Sequence, residues 1–217
     1  RLLYLTTTRP DVSFAIQQLS QFVANPMAVH FNAATRVLCY LKGSPSKGLL
    51  FPSNNDTHIS AFADADWACC LDTRRSITGF CIFVGKALVS WRSKKQTTVS
   101  RSSTKAEYRS LAHLTCELQW PNFLLKDLCM VPSKPTSVFC DNQSAIYLVH
   151  NSTFHERSKH IELDCHIIRE KITTGLIHLL PISTYLQTAD VFTKALHPQQ
   201  FCSNIAKLGL MDIHCPA

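Results

Sequence analysis

The chain has 217 residues, of which 46% are hydrophobic, so it can bury the core of one ordinary domain plus a smaller appendage, which argues against general disorder. No apolar run approaches the roughly 20 residues that cross a bilayer, no secretory signal opens the chain, and its ten cysteines contain no Cys-x-x-Cys pair typical of zinc knuckles. A net charge of +7 without a long basic run indicates either a polyanionic partner or simply a basic, solvated surface.

Residues 1–45 are predicted to form two helices. Val12 and Ile16 begin an apolar series at helical spacing after Pro10-Asp11, and Asn25-Pro26 ends it. A second amphipathic stretch then runs to the break at 43–46. We predict three regions from this pattern: the helical segment at 1–45, a main domain at 56–198, and a C-terminal helix and tail at 199–217.

From residue 57 the sequence changes to short strands rich in β-branched and aromatic residues. Strands are predicted at 59–67, 76–84 and 87–91, with short turns that indicate an antiparallel meander. A long helix follows from 103 to about 128, which Pro121 is expected to kink or break. The remaining predicted elements, in order, are a strand at 138–140, helices at 144–149 and 160–174, a strand at 176–182, and helices at 188–196 and 199–208. This order predicts an α/β (α+β) fold with a mixed five-stranded sheet and flanking helices.

Three acidic residues in the first half of the chain stand out because only 15 acidic residues occur in all. Asp64 and Asp66 share one face of the first predicted strand, where acids are depleted, unless the strand ends at Ala63 and both lie in a turn. Glu107 lies on the apolar face of its predicted helix, which places it toward the core. The spacing Thr104-x-x-Glu107 also fits a capping box, which needs no catalysis.

Two further acids follow later in the chain. Asp141 ends the strand at 138–140, where ligand crevices commonly form, or else it caps the next helix. Asp190 lies in the first turn of its predicted helix, where an acid also stabilises the helix dipole. The order Asp–Glu–Asp–Asp suits phosphodiester hydrolysis, in which two Mg²⁺ ions about 3.5–4 Å apart activate water and neutralise the leaving oxygen. Carboxylates crowded into one pocket repel each other, and metal binding removes that penalty.

A series of segments, spread nearly from end to end of the chain, carries a family resemblance: Tyr4-Leu5-Thr6, Thr8-Arg9-Pro10-Asp11, Tyr40-Leu41-Lys42-Gly43, Asp64-Ala65-Asp66-Trp67-Ala68, Arg74-Arg75-Ser76, Thr78-Gly79, Ser90-Trp91, Ser93-Lys94-Lys95-Gln96, Ser102-Ser103-Thr104, Ala106-Glu107-Tyr108, Cys140-Asp141-Asn142, Ser144-Ala145, Lys159-His160-Ile161, Arg169-Glu170, Ala189-Asp190 and Phe192-Thr193-Lys194. In this order they resemble the ribonuclease H region of Ty1/copia-type retrotransposon Pol polyproteins, together with the last part of the adjoining reverse transcriptase.

The resemblance implies a ribonuclease H-like fold and endonucleolytic cleavage of the RNA strand of RNA–DNA hybrids during reverse transcription. It implies two Mg²⁺ ions, with Mn²⁺ as a substitute. The implied catalytic residues and metal ligands are Asp64, Glu107, Asp141 and Asp190, and Asp66 is the alternative to Asp64. The implied partners are the hybrid and the reverse transcriptase of the same polyprotein, whose last part would be residues 1–45, and no membrane. The expected location is intracellular, either cytoplasmic in a virus-like particle or nuclear.

Seven further residues are predicted to contact the substrate: Arg74, Arg75, Lys94, Lys95, Ser102, Asn142 and Gln143. The four basic residues lie near strand ends and suit phosphates, although an ordinary solvated turn explains them equally well. The three small polar residues are predicted to reach the sugar–phosphate near the metals, where 2′-hydroxyls distinguish a hybrid from duplex DNA.

Four departures from the family pattern leave alternatives open. The loop at 183–188 lacks the histidine that many ribonucleases H carry before the last acid, and Cys69-Cys70 stands where relatives usually have a small residue before cysteine. Pro121 interrupts a helix, and Lys105 replaces a usual acid. These features favour a catalytically decayed hybrid-binding or connecting module of a degenerate retrotransposon polyprotein. An integrase-like or transposase nuclease is a third alternative, which would use three acids and cut DNA.

Overall fold

The protein was analysed as a computed structural model, which describes residues 1–130, 132, 134–151, 162–212 and 214. Its strands are Lys47–Leu49 (β1), Ile59–Asp66 (β2), Ile77–Val84 (β3), Ala87–Lys95 (β4), Thr136–Cys140 (β5), Ile177–Pro181 (β6) and Leu210–Asp212 (β7). Its α-helices are Leu2–Leu5 (α1), Ser13–Ser20 (α2), Ala28–Lys42 (α3), Ser103–Asp127 (α4), Gln143–His150 (α5), Glu162–Thr173 (α6) and Pro198–Lys207 (α7). Short 3₁₀ helices lie at Pro10–Val12, Thr184–Leu186 and Thr188–Phe192.

The main sheet has five strands in the order β4-β3-β2-β5-β6. The pairs β2–β3 and β3–β4 are antiparallel, whereas β2–β5 and β5–β6 are parallel. Gly85, at a φ of +57°, makes the tight turn between β3 and β4, because a residue without Cβ adopts this conformation without strain. The predicted mixed sheet, a meander plus parallel strands with flanking helices, is confirmed.

Both faces of the central strands are covered. On one face, α4 packs Tyr108 and Leu111 against β2 residues such as Ala61. On the other face, Phe192 and the α7 residue Ile205 cover the outer side of β3. The 3₁₀ helix Thr188–Phe192 and α4 therefore lie on opposite sides of the sheet, which decides how acids from each can reach the same strand.

The N-terminal helices pack directly against the edge of the main sheet. The indole of Trp91 on β4 donates a hydrogen bond of 2.8 Å to the carbonyl of Thr6. The small antiparallel sheet β1–β7 then joins this region to the C-terminal end of the described chain. Neither β1 nor β7 was predicted, because each has three residues and its partner lies more than 150 positions away. The assignment of residues 1–45 to a polymerase stays a prediction.

Three local expectations need correction or restriction. The predicted break at Pro121 is wrong: α4 continues to Asp127, because Pro121 and Leu125 are buried and packing offsets the lost helical hydrogen bond. The helix predicted at 188–196 is a 3₁₀ helix of five residues, all buried, so it has no amphipathic surface to extend. The start of the helix predicted at 160 lies outside the described residues, and the described helix begins at Glu162.

Candidate active site

Asp64 lies on β2, two residues after the last residue that pairs with the parallel strand β5. The β2–β5 ladder joins Ser60 to Phe62 with β5, so the end of β2 borders an opening in the sheet. β2 itself continues to Asp66, which excludes the alternative that the strand stops at Ala63. Asp64 is only 2% exposed. The polar end of this strand is therefore enclosed, not part of a solvated turn.

Glu107 reaches across that opening from the first turns of α4. Its Oε1 accepts a hydrogen bond of 3.2 Å from the backbone N–H of Ala65 on β2. The N-cap of α4 is Ser102, whose hydroxyl oxygen accepts from the N–H of Lys105, so the capping-box explanation of Glu107 is excluded. Glu107 Oε2 is buried and has no hydrogen-bond partner within the described part of the chain. A buried acceptor without a partner indicates a missing ligand.

Asp141 enters the same opening from the end of β5. The following helix α5 is capped by Asn142, whose Oδ1 accepts from the N–H of Ala145 at 2.9 Å, so Asp141 has no capping role. An oxygen of Asp141, an oxygen of Glu107 and the sulfur of Cys140 all lie within 4.8 Å of one another. Two of the predicted acids are thus within reach of one ion, beside a thiol that the sequence analysis did not assign.

Asp190 approaches from the opposite face of the sheet, on the 3₁₀ helix Thr188–Phe192. Close packing is possible because Gly79, the register partner of Asp64, has no side chain. A Cβ at Gly79 would lie 2.6 Å from Thr193 Cγ2 and 2.8 Å from Phe192 Cβ. The glycine therefore allows this short helix to lie on the strand next to Asp64.

Two more side chains complete the cluster, and the sequence analysis gave neither a role. Lys194 Nζ lies 3.5 Å from Asp64 Oδ2 and 2.9 Å from Asp190 Oδ1. The Thr193 hydroxyl donates to Asp64 Oδ2. The four-residue spacing between Asp190 and Lys194 was the available signal, because oppositely charged residues at this spacing on a helical turn commonly pair.

Burial and mutual repulsion raise the pKa values of the acids. Burial, with the charges of Asp64 and Asp141, raises the pKa of Glu107 to about 9. Burial and Asp64 raise the pKa of Asp190 to about 7, although Lys194 partly opposes the shift. Burial works against the charge of Lys194, but Asp64 and Asp190 hold its pKa above the usual range. One ammonium group does not neutralise four ionised carboxyls, so the pocket is left with a net negative charge when all four are ionised.

These residues fit a hard divalent cation. The donors at the opening are carboxylate oxygens from separate elements, which is the ligand type that Mg²⁺ and Mn²⁺ prefer. The unpartnered Glu107 Oε2 supplies a free ligand atom. Asp66, the reserve ligand, is half-buried at the end of β2, and burial raises the pKa of its carboxyl.

The four basic residues predicted to contact the substrate differ in exposure and in their partners. Arg74, at a φ of +52°, and Arg75 lie in the turn after β2, where Arg74 is exposed. Lys94 is exposed at the end of β4. The amine of Lys95 instead donates to Gln21 Oε1 at 2.6 Å. All four stay predictions, and Lys95 would have to leave Gln21 to reach a phosphate.

The small polar residues predicted to contact substrate lie at the starts of helices. Ser102 and Asn142 use their side-chain oxygens as caps of α4 and α5. Gln143 is exposed at the first position of α5. These assignments stay predictions as well. In the part of the chain that the structure describes, no helix is both long and apolar enough to span a membrane.

Comparison with known proteins identifies relatives over almost the whole chain. No protein-family model matches the sequence. The chain is 43% identical over 98% of its length to a retrovirus-related Pol polyprotein from transposon RE2 of Arabidopsis thaliana. It is 36% identical over 91% of its length to that from transposon TNT 1-94 of Nicotiana tabacum. In both cases it spans only 15% of the relative.

Solved structures were compared in the same way. The crystal structure of LC11 ribonuclease H1 in complex with an RNA/DNA hybrid is 14% identical to the chain. The match covers 62% of this chain and 93% of that one, with a TM-score of 0.48.

Proposed function

The chain belongs to the retrovirus-related Pol polyproteins of copia-type transposons, and from this premise we propose that it is a metal-dependent endonuclease that hydrolyses the RNA strand of RNA–DNA hybrids. The observation that carries the proposal is the convergence of Asp64, Glu107, Asp141 and Asp190 on one opening in the sheet, around a buried carboxylate oxygen without a partner. Such a cluster is costly to fold and serves no packing purpose.

The four acids would hold two Mg²⁺ ions, or Mn²⁺ as a substitute, which when bound activate the attacking water and neutralise charge on the phosphate. The surrounding residues hold the acids in place. The Thr193 hydroxyl donates to the carboxylate of Asp64, and the Ser110 hydroxyl donates to its main-chain carbonyl at 2.8 Å. The Ala65 N–H orients Glu107. Because the pKa of Glu107 is about 9 without metal, its carboxyl must lose a proton on loading, so metal affinity should rise with pH.

The surface near the pocket suits a polyanion. Arg74 and Lys94 are exposed and would contact phosphates, while Gln143 would reach the sugar edge. The hybrid made by the reverse transcriptase of the same polyprotein is the proposed substrate, and residues 1–45 are proposed as the last part of that polymerase. The proposed location is intracellular, in the cytoplasm or the nucleus.

A cleavage assay tests the function. A labelled RNA–DNA hybrid is incubated with Mg²⁺ and wild type, Asp64→Asn, Asp141→Asn or Asp127→Asn. Asp127 is exposed at the end of α4, so its variant is a matched control for loss of one carboxylate. We expect RNA cleavage by wild type and the control, loss of at least about 10²-fold in the two pocket variants, and none with a chelator.

Other outcomes would assign the alternatives. Hybrid binding by wild type without metal-dependent cutting would support a decayed binding module. Cleavage of duplex DNA but not of hybrid would support an integrase-like nuclease. Either result contradicts the proposal.

A further inference from the structure

The amine of Lys194 lies between two of the carboxylates that are proposed to bind a metal ion. It contacts Asp190 Oδ1 at 2.9 Å and Asp64 Oδ2 at 3.5 Å, and so joins an acid of β2 to an acid of the 3₁₀ helix Thr188–Phe192. The side chains of Asp64 and Asp190 are 3% and 2% exposed, whereas that of Lys194 is 35% exposed. The lysine therefore enters the pocket from the solvent side, with its charge at the inner end.

Lys194 is the one basic side chain within ion-pair distance of these acids in the described part of the chain. Without it, Asp64 and Asp190 would face each other without a counter-charge in an enclosed pocket, at a large electrostatic cost. Asp64 Oδ2 also accepts the Thr193 hydroxyl, so this oxygen is already fully engaged. An ion that binds Asp64 Oδ2 or Asp190 Oδ1 at the roughly 2.0–2.1 Å distance of Mg²⁺–oxygen bonds has to displace the ammonium group from that oxygen.

Lys194 lines a groove between the N-terminal helices and the region around α7. Most of the lining side chains are apolar, among them Val12, Ala15 and Phe201, and Asp11, Arg36 and Tyr40 are the other polar ones. An alkyl chain lies favourably along such a surface while its charged end reaches water. A change of side-chain rotamer would thus carry the amine out of the pocket without moving the backbone.

We propose that Lys194 is a tethered counter-ion: its ammonium group holds Asp64 and Asp190 together in the metal-free protein and is displaced from them when a divalent cation binds. The inference rests on the proposed metal centre. It has two consequences, because a displaced competitor weakens cation binding and a lost counter-ion destabilises the empty pocket. Lys194 is accordingly a positioning residue that sets the cation concentration at which the site fills.

Calorimetric titration with Mn²⁺ tests the competition. Four proteins are compared: wild type, Lys194→Met, Lys194→Arg and Lys171→Met. Lys171 pairs with Glu170 away from the pocket, so its variant removes the same charge elsewhere. We expect Lys194→Met to bind Mn²⁺ at least about tenfold more tightly than wild type, because a like charge has been removed from beside the ion. Lys194→Arg and Lys171→Met should bind within about threefold of wild type.

A second measurement uses the wild-type protein alone, so it does not depend on a variant that folds. An amine-acylating reagent is added with and without Mn²⁺, and labelling of each lysine is read by mass spectrometry. Labelling of Lys194 should increase several-fold with Mn²⁺ while that of Lys171 stays constant.

Thermal melting tests the loss of the counter-ion. In chelator, Lys194→Met should melt at a lower temperature than wild type, and Mn²⁺ should restore the melting temperature.

The outcomes separate this inference from the function it rests on. Equal or weaker Mn²⁺ binding by Lys194→Met, or unchanged Lys194 labelling in a protein that binds Mn²⁺, overturns the counter-ion role and leaves the metal centre standing. Absence of Mn²⁺ binding in every protein overturns the metal centre and the inference with it.

Discussion

Burial and two neighbouring carboxyls disfavour the charged form of Glu107 and raise its pKa. Glu107 is 6% exposed, lies beside Asp64 and Asp141, and has a hydrogen bond to one oxygen only. Its pKa of about 9 means that the metal-free protein is most stable when this group is protonated. A folded-state pKa above the unfolded value gives stability that is present at low pH and lost as pH rises through the folded value.

We therefore expect the metal-free wild type to lose stability between about pH 5 and about pH 9, and Glu107→Gln to lose much less. The glutamine oxygen still accepts from the Ala65 N–H, so the fold is kept. The loss below about pH 7 that remains in the variant comes from other acids with a raised pKa, among them Asp190 and Asp66. Melting temperatures in chelator across this range give the measurement, with Glu117→Gln on the exposed side of α4 as the control.

The same variant separates catalysis from structure. Glu107→Gln should reduce hybrid cleavage by at least about 10²-fold, because it removes a proposed metal ligand and no packing volume. A folded, fully active variant would remove Glu107 from the site.

Asp190 and Asp66 are distinguished by their contacts. Asp190 is 2% exposed and pairs directly with Lys194, whereas Asp66 is half-buried at the strand end, beside Cys69. We expect Asp190→Asn to lower kcat on hybrid by at least about 10²-fold and Asp66→Asn by less than about tenfold. Rates at saturating Mg²⁺ give the comparison. Losses of similar size would mean that Asp66 is also a ligand.

Some residues of the candidate site could be predicted from the local sequence, whereas others are recognised only from the packing of the folded chain. Asp64 was recognisable because it interrupts an apolar strand. Sequence alone left Glu107 and Asp141 ambiguous, since each also fitted a capping pattern, and the structure gives the caps to Ser102 and Asn142. Lys194 had no local signal beyond its spacing from Asp190, because its second partner lies 130 positions earlier on β2.

Among the elements, the contact between β3 and the 3₁₀ helix Thr188–Phe192 decides whether Asp190 can join the site. It depends on Gly79, because a Cβ there would lie 2.6 Å from Thr193 Cγ2 and 3.1 Å from the carbonyl of Ala189. The backbone atom has no rotamer with which to move away. The short helix would have to lift from the sheet and carry Asp190 away from Asp64.

We expect Gly79→Ala to destabilise the protein by about 1–3 kcal/mol and to weaken Mn²⁺ binding, because overpacking displaces backbone. Denaturant unfolding and calorimetry measure the two effects. Gly48→Ala on β1 is the matched control, since a Cβ there meets nothing within 4 Å. If Gly79→Ala were as stable as wild type, the 3₁₀ helix could move away from β3 without a measurable loss of stability.

The predictability of the elements follows the same physical division. The strands of the main sheet were predicted because they are short runs rich in β-branched, aromatic and other apolar residues between turn residues. The pair β1–β7 was missed because three residues carry no periodicity. The 188–196 segment was predicted as an α-helix because its apolar residues suit one, but complete burial against the sheet favours a shorter turn.

For the whole molecule, the main question is whether residues 1–45 fold with the nuclease or apart from it. A buried network ties the segment together: Arg9 makes an ion pair of 2.7 Å with Asp11 and donates to the carbonyl of Ser44 at 3.0 Å, and the Tyr40 hydroxyl donates to Asp11 at 2.7 Å. The Trp91–Thr6 hydrogen bond and the β1–β7 pair then join the segment to the main sheet and the chain end. The contacts predict one cooperative unit.

Asp11→Asn tests this cooperativity, because it leaves the buried guanidinium of Arg9 without its carboxylate. Removal of one partner of a buried ion pair costs about 3–5 kcal/mol. We expect urea unfolding followed by tryptophan fluorescence and by far-ultraviolet circular dichroism to give one coincident transition in wild type, shifted to lower urea in the variant. Asp72→Asn, in the exposed turn after β2, should leave the midpoint unchanged. Two separate transitions, with only the first shifted, would mean that the N-terminal segment unfolds independently of the proposed active site.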